Sequence, residues 1–401
     1  MKMDEWKEYR LSEIGTIVGG ATPSTKNPSF YDGEIPWITP KDLTDWNEVY
    51  ISRGERSITM EGYNSSSCKL MPKGTVLFTS RAPIGYIAIA ANELCTNQGF
   101  KSVVPNKELV DSEFLYYALL YNKNKIKALG SGTTFAEISG KVMASVVISL
   151  PELATQKKIA AQLSEIDDKI AVNKKICENL ETQAQALFKS WFVDFEPFKN
   201  GKFVESELGM IPEGWRVGTF GEIVDLIKPS IKPQDNTKYF HYSIPAFDNN
   251  KFPSYDIGET IKSNKFAIYD SATLLSKLNP DHKRIWFVSK VGTNAICSTE
   301  FLPFYAKDKE HSAFVYCYLN SRKNYREIAN GAKGTTNSHQ RIDANAILSR
   351  KLAYNIDTIA MFCNVVDDFF KLENKAIQES ARLSTLRDTL LPKLMSGEIK
   401  V

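Results

Sequence analysis

Basic side chains that precede Gly-Thr-Thr triplets are the residues of this sequence best suited to hold a charged ligand. The triplets occupy residues 132–134 and 334–336, and residues 321–351 hold seven Lys or Arg against two acids. Cations bind phosphate oxygens, and glycine-rich turns expose backbone N–H groups that also suit phosphate. One copy alone would be an ordinary solvated turn, but the same arrangement twice favours nucleic-acid binding. The basic residues are Lys123, Lys125, Lys127, Arg322, Lys323 and Arg326.

Three further stretches could bring polar side chains to a nucleic acid. Residues 19–26 form a polar, glycine-rich loop with one cation, and residues 36–43 bracket Trp37 with prolines. Residues 77–85 begin at the end of a strand-like apolar run and continue into the polar residues Thr-Ser-Arg. Hydroxyl, amide and guanidinium groups are those that contact phosphates and base edges. Trp37 itself is more typical of a core residue than of a contact.

Motifs for catalysis are weak or missing. Residues 27–30 read Asn-Pro-Ser-Phe, a partial match to the tetrapeptide of adenine methyltransferases, and no glycine-rich cofactor loop accompanies them. Pro280 and Asp281 could open a nuclease motif, but the Glu-x-Lys at residues 373–375 falls in a helix-like segment. The sequence has no G-x-x-x-x-G-K-[ST] phosphate loop and no G-x-S-x-G elbow, while a Ser/His/Asp triad stays open. We therefore predict that the chain is not itself an enzyme.

The composition is that of a globular protein with two or three domains. The chain has 401 residues, of which 43% are hydrophobic and 24% charged, and its net charge of +3 excludes a strongly basic, histone-like binder. Its six cysteines and four histidines form no C-x-x-C or HExxH pattern, so we predict no metal site. No segment is apolar for long enough to be a signal or to span a bilayer, so we expect a cytoplasmic protein.

The sequence repeats itself with an offset of about 200 residues. Trp6 opens a strand-like segment in the first half, and Trp215 opens the matching segment in the second. Each half ends in a basic segment, a Gly-Thr-Thr turn, a short strand and a long helix. These strands are predicted at residues 146–151 and, more weakly, at residues 346–348. The order of parts indicates two similar domains, each followed by a helix.

The two long segments carry apolar residues at alternating spacings of three and four, which are typical of a coiled coil. Asn173 and Glu379 are polar positions that could set the register of pairing. Two amphipathic helices that each pack on their own domain are the alternative. We predict instead that residues 155–195 and 357–395 pair as antiparallel helices. The predicted seam consists of Ile159, Leu163, Ile166, Ile170, Leu180, Leu187, Phe362, Phe369, Leu372, Leu383, Leu386 and Leu390.

Segments along nearly the whole chain resemble the specificity subunits of type I restriction–modification enzymes. Four resemble a target-recognition domain, two the central helical region, one the start of a second recognition domain and one the C-terminal end. In that order they are residues 20–23, 35–38, 77–85, 96–100, 156–160, 187–197, 208–215 and 391–399. Residues 274–280 depart from the pattern of residues 77–83, which agrees with recognition domains that read different bases.

The resemblance implies an α+β fold with two similar target-recognition domains, whose helices pair as an antiparallel coiled coil. Each domain would read one half of a split, asymmetric DNA target, and the helices would fix the gap between the halves. The implied domains are residues 1–151 for the first recognition domain, 152–197 for the central helix, 198–354 for a leading linker and the second recognition domain, and 355–401 for the C-terminal helix.

The resemblance also implies partners for the chain, with double-stranded DNA as the ligand. Two methylation subunits would carry S-adenosylmethionine and modify adenine N6, and restriction subunits with motor and nuclease activity would use ATP and Mg²⁺. No cofactor is expected in this chain, and no membrane. The rival functions are a stand-alone DNA-modifying enzyme and a coiled-coil scaffold that does not bind DNA. A scaffold would not bind a random-sequence duplex at low salt.

The candidate DNA-binding residues combine the basic turns with the matching segments of the resemblance. They are Thr22, Ser24, Lys26, Lys41, Ser80, Arg81, Asn97, Gln98, Lys127, Thr133, Thr134, Lys277, Arg326, Lys333, Thr335, Thr336, Asn337, His339 and Gln340. No catalytic or metal-binding residue is predicted.

Overall fold

The structure, a computed structural model, describes residues 6–44, 46, 48–131, 136–249, 251–332 and 340–401. The chain divides into two compact units. Unit 1 comprises Met1–Val172 and Arg382–Val401, and unit 2 comprises Asn173–Ala381. Both long helices contribute one part to each unit, so the four-part division predicted from the sequence stays a prediction. In the part of the chain that is described, no helix is both long and apolar enough to cross a membrane.

The described residues of unit 1 form ten strands, five short α-helices and parts of the two long helices. The strands are β1 (Lys7–Arg10), β2 (Gly15–Gly19), β3 (Tyr31–Ile38), β4 (Tyr50–Ile51), β5 (Arg56–Ile58), β6 (Val76–Phe78), β7 (Ile87–Ala90), β8 (Cys95–Thr96), β9 (Lys101–Pro105) and β10 (Val147–Leu150). The helices are α1 (Leu11–Ile14), α2 (Met60–Asn64), α3 (Ser112–Tyr121), α4 (Lys123–Ala128), α5 (Gly140–Ser145) and the first long helix, α6 (Leu153–Phe192).

A five-stranded sheet of order β2-β9-β6-β7-β4 forms the centre of unit 1. Strand β6 is buried on both faces because its side chains alternate between two core clusters. Val76 and Phe78 pack with Phe114 on one side, while Leu77 packs with Phe100 on the other. A second sheet, β5-β3-β8, contains the buried Trp37, so its predicted place in the core is confirmed.

Unit 2 repeats this order of elements. The strands are β11 (Phe203–Ser206), β12 (Gly209–Pro212), β13 (Arg216–Thr219), β14 (Val224–Leu226), β15 (Ser230–Ile231), β16 (Lys238–Tyr242), β17 (Ser254–Ile257), β18 (Lys265–Ala267), β19 (Ala272–Ser276), β20 (Ile285–Val288), β21 (Ala295–Ser298), β22 (Phe301–Ala306) and β23 (Lys351–Tyr354). The helices are α7 (Ile244–Asp248), α8 (Ser312–Asn320), α9 (Arg322–Asn330), α10 (Ala344–Leu348) and the second long helix, α11 (Ile356–Met395).

The sheets of the two units correspond. The order β14-β22-β19-β20 in unit 2 matches β2-β9-β6-β7 in unit 1. The second sheets each contain one parallel pair, β3 with β8 and β16 with β21. In each unit the opening strand pairs antiparallel with the strand that precedes the long helix, β1 with β10 and β13 with β23. The internal repeat read from the sequence is therefore present in the fold.

One local prediction was wrong. Residues 346–348, predicted as a strand, lie in α10, because Asp343 caps that helix by accepting the N–H of Asn345 at 2.9 Å. The strand lies a few residues later, at β23. Within the predicted leading linker of the second domain, residues 203–212 form the hairpin β11–β12, which turns at residues 207–208 and enters β12 at Gly209 with a φ of 94°.

The long helices pack antiparallel within each unit. In unit 2, Asn173 is almost fully buried and donates to Glu379 Oε2 at 2.8 Å, so the two predicted polar seam positions do meet. Farther along, the Phe188 and Phe362 rings lie 6.1 Å apart. In unit 1, Ile159 and Leu163 of α6 share a core cluster with the C-terminal part of α11.

The predicted seam of α11 needs a correction. Leu372 and Leu386 are 51% and 46% exposed, so their prediction as buried seam residues was wrong. Val366 and Phe370 are buried instead. Near Leu372, α11 packs on β20 and α8 as well as on α6, since the Phe370 ring lies 5.0 Å from that of Phe287 and 5.3 Å from that of Tyr316. The buried stripe therefore follows the 3.6-residue period of an amphipathic helix rather than a narrow coiled-coil seam.

Candidate nucleic-acid interface

The same backbone hydrogen bonds close the end of the central strand in both units. In unit 1, the Ser80 N–H donates to the Gly99 carbonyl at 2.7 Å, and the Ile138 N–H donates to the Ser80 carbonyl at 2.9 Å. In unit 2, Lys277 replaces Ser80 in this pattern, with Glu300 and Ile342 as its partners, both at 2.9 Å. In both units, therefore, the segment that follows the predicted Gly-Thr-Thr turn is hydrogen-bonded to the equivalent residue at the end of the central strand.

A short basic helix lies beside each of these strand ends. The loop after β6 lies close to α4. A Cβ added to Gly85 in that loop would be 3.1 Å from the Lys123 side chain. The loop after β19 contacts α9, where the Tyr325 hydroxyl donates to the Pro280 carbonyl at 2.9 Å. We call each strand end with its basic helix a strand-end corner.

The cations of these helices point away from the core because an apolar side chain anchors each helix. Ile126 is buried in α4, and Lys127 beside it is exposed. In α9, Tyr325 and Ile328 are buried while Arg326 is exposed. Neither Lys127 nor Arg326 forms an ion pair with another described residue. Both are therefore available to an anionic ligand.

The Gly-Thr-Thr residues predicted at these corners lie outside the described part of the chain. They are Thr133, Thr134, Lys333, Thr335, Thr336, Asn337 and His339. Gln340 is described; it is half-buried, and its carbonyl accepts the Asn279 N–H at 3.2 Å. Its neighbour Arg341 lies 3.3 Å from Glu300, an ion pair that the sequence did not suggest.

A second group of predicted residues comes together in unit 1 at the loop of residues 20–26. The Thr22 hydroxyl donates to Gln98 Oε1, and Asn97 Oδ1 accepts the Gly99 N–H at 2.8 Å. The approach requires glycine, since a Cβ on Gly20 would lie 2.1 Å from the Asn97 carbonyl. Exposed Ser24 and Lys26 extend from the same loop.

Three predicted residues are less available than the sequence suggested. Ser80 is fully buried, and its hydroxyl donates to the Gly99 carbonyl at 3.1 Å, so it supports the corner from within. Arg81 lies 3.5 Å from Glu137. Lys41 lies 2.7 Å from Glu55, and this hydrogen bond raises the pKa of Lys41. Solvent screens exposed pairs of this kind, so they contribute little to stability and a phosphate can replace the carboxylate partner.

A Ser, a His and an Asp meet in unit 2, but not in the geometry of a catalytic triad. His241 Nδ1 and Ser254 Oγ each lie 2.8 Å from the same Asp256 oxygen, so the serine bonds to the acid and not to the imidazole. Burial lowers the pKa of His241 against the opposing effect of Asp256. Over the residues that the structure describes, no three His, Cys, Asp or Glu side chains are grouped so that they could hold a metal ion.

Comparison with known proteins identifies the family. A family model described as "Type I restriction modification DNA specificity domain" matches residues 3–182. The MjaIX specificity subunit of a type I restriction enzyme from Methanocaldococcus jannaschii is 37% identical, over 99% of this chain and 94% of that protein. The HindI specificity subunit from Haemophilus influenzae is 22% identical, over 99% of this chain and the full length of its own. The chain belongs to the family of type I restriction enzyme specificity subunits.

The fold of this specificity subunit agrees with the family. A crystal structure of the type I restriction–modification S subunit from M. genitalium superposes with a TM-score of 0.59 at 16% identity, covering 98% of this chain and 97% of that one. The curated relatives are named as specificity subunits, and the superposition shows a shared fold over nearly the full length of both chains.

Proposed function

We propose that this specificity subunit reads a split DNA target through its two strand-end corners, one half of the target at each. The observation that carries the proposal is the repeated backbone pattern of Ser80 and Lys277, each beside an exposed basic helix. Phosphate contacts by Lys127 and Arg326 would hold the duplex, because cations position DNA without reading its sequence.

Residues that read base edges would lie around these cations. In unit 1, the loop of Thr22, Ser24 and Lys26 with Asn97 and Gln98 offers hydroxyl and amide groups of the kind that recognise bases. The Gly-Thr-Thr segments with Asn337, His339 and Gln340 would supply the corresponding groups. Arg81, Lys41 and Lys277 would add phosphate contacts, while buried Ser80 would support the strand end.

The antiparallel helices would fix the gap between the half-targets and dock the partner subunits. Two methylation subunits would bring S-adenosylmethionine and modify adenine N6, and restriction subunits would bring ATP, Mg²⁺ and the nuclease. In this proposal the chain itself supplies no cofactor and no catalytic group, and it works on DNA in the cytoplasm. The names of the curated relatives, which are specificity subunits, support this division of labour.

Methylome sequencing tests the proposal directly. The chain is expressed with its methylation partners in a host that lacks adenine methylation, and modified adenines are mapped across the genome. We expect one asymmetric motif in two halves with a constant gap. An unbroken motif, or methyl transfer by the purified chain without partners, would contradict the proposal. A lack of binding to random-sequence duplex at low salt would favour a scaffold instead.

A further inference from the structure

One buried carboxylate in unit 1 joins the globular part to both long helices. Asp167 of α6 accepts the Tyr117 hydroxyl of α3 at 2.7 Å through Oδ2. Its other oxygen, Oδ1, accepts from Arg387 of α11 at 2.7 Å. Tyr117 is fully buried, and the Asp167 side chain is only 10% exposed. Asp167 therefore links three elements through directional bonds away from bulk water.

A carboxylate of α6 has the same role in unit 2. Glu181 accepts hydrogen bonds from the Tyr316 hydroxyl and from the Asn320 amide, both on α8. Lys251, in the segment after α7, lies 3.5 Å from the other Glu181 oxygen. Tyr316 and Asn320 are buried, and the Glu181 side chain is 22% exposed. Each unit thus presents a tyrosine, from the first helix after its sheet, to an acid on α6.

These carboxylates are poorly explained as a source of stability. Burying a carboxylate costs desolvation energy, and apolar side chains of similar volume often stabilise a protein as well or better. Hydrogen bonds differ from apolar packing because they are directional and select one arrangement among several of similar energy. Two such anchors on one helix suit a protein whose task depends on a constant geometry.

We propose that Asp167 and Glu181 are positioning residues that hold each globular part on its helical segment and so keep the gap of the DNA target to one length. This inference rests on the proposed function. Without its anchor, a unit can turn slightly on its helical segment while its DNA-contacting residues stay intact. The bases of each half-target would then be read as before, but targets with a gap one base pair shorter or longer would be accepted.

The test uses the full methyltransferase complex with Tyr117→Phe and Tyr316→Phe, which remove one hydroxyl each. Tyr121→Phe is the matched control, because Tyr121 lies on the same helix α3, is exposed, and has a hydroxyl that no described residue hydrogen-bonds. The substrates are duplexes with the wild-type half-targets and gaps of the normal length, one or two base pairs shorter, and one or two longer. Methylation rates on all five are measured for each variant, together with the base preference within each half.

We expect each Tyr→Phe variant to raise methylation of the one-base-pair gap variants, relative to the normal gap, by roughly tenfold, because it removes one directional hydrogen bond to a carboxylate. Base preference within the halves and the Tyr121→Phe profile should stay unchanged. Asp167→Asn and Glu181→Gln should shift the profile in the same direction. An equal loss of rate at all gap lengths would overturn the inference, because it would mean that the anchors only stabilise the fold. Failure of the proposed function would show itself separately, as a wild-type complex without a bipartite target.

Discussion

At the scale of single residues, the structure separates cations by their partners. Lys127 and Arg326 are exposed and form no ion pair with another described residue, whereas Arg81 and Lys41 lie against carboxylates. An unpaired cation gains its full interaction with a phosphate, while a paired one must first lose its partner. The two unpaired cations should therefore contribute most clearly to phosphate binding.

Alanine substitution at Lys127 or Arg326 tests this difference. We expect each variant to weaken binding of the methyltransferase complex evenly across target and scrambled duplexes, and to lower the slope of log K against log salt by about one unit. Lys107→Ala and Lys307→Ala are the controls. These exposed lysines follow the C-terminal ends of β9 and β22, and the strand-end corners lie at the other ends of the same strands. Equal slopes for all four variants and wild type would contradict a phosphate contact at the corners.

A buried carboxyl makes unit 2 sensitive to pH. Burial, together with the nearby charge of Glu181, raises the pKa of Glu373 to about 7, and Lys251 only partly opposes this shift. The other titratable groups near it include Cys177, whose thiol lies 3.8 Å from the Glu373 carbonyl, and the buried Tyr316 and Cys317. The folded protein therefore keeps a proton on Glu373 at a pH where the unfolded chain has lost it.

The sign of the effect follows from the raised pKa. The contribution of Glu373 is fully present below its unfolded pKa and is lost as the pH rises through about 7. We expect Glu373→Gln to stabilise the protein more at pH 8 than at pH 5, by up to about 3 kcal/mol. Urea unfolding of both proteins at the two pH values measures the difference. A gain that is equal at both values would show that Glu373 is already ionised in the folded state.

At the scale of elements, the two long helices are held by aromatic packing as well as by polar contacts. Phe362 of α11 is fully buried, with its ring centroid 5.3 Å from that of Phe192 and 6.0 Å from that of Trp191. Leu372, farther along the same helix, is largely exposed although its spacing predicts a seam position. The pair offers a matched comparison within one helix.

Truncation to alanine should separate these two residues. Phe362→Ala is expected to lower the free energy of unfolding by about 3–5 kcal/mol, because it leaves a cavity among aromatic rings. Leu372→Ala should change it by no more than about 0.5 kcal/mol, as is usual for an exposed site. Denaturant unfolding measures both. If Leu372→Ala lowered the free energy of unfolding as much as Phe362→Ala, Leu372 would be a buried seam residue, as the sequence predicted.

At the scale of the whole molecule, each unit has its own sheets and core clusters. If each reads its own half of the target, the halves should be exchangeable. Replacing residues 1–150 with a recognition domain from another specificity subunit is expected to change one half of the methylated motif and to leave the other half and the gap intact. Methylome sequencing of the chimera gives the answer. A simultaneous change in both halves would contradict modular recognition.

Patterns that depend on neighbours in the chain were predictable from the sequence. The internal repeat, the long helices and the buried place of Trp37 follow from apolar periodicity and from the order of segments, which are local properties. The meeting of Asn173 with Glu379 also follows, because a seam with few polar positions pairs them in one register. Predicted contacts at the Gly-Thr-Thr triplets lie outside the described residues and stay predictions.

Only the tertiary structure decided which side chains face solvent and which find partners across the chain. Ser80 and Arg81 are adjacent in sequence, yet one is buried and the other lies against Glu137. The hydrogen bonds from Tyr117 to Asp167 and from Tyr316 to Glu181 join residues far apart in the sequence. Residue spacing within one segment therefore cannot predict them. Secondary structure follows from local periodicity, whereas burial and pairing depend on how distant elements pack, and that packing is determined by the whole fold.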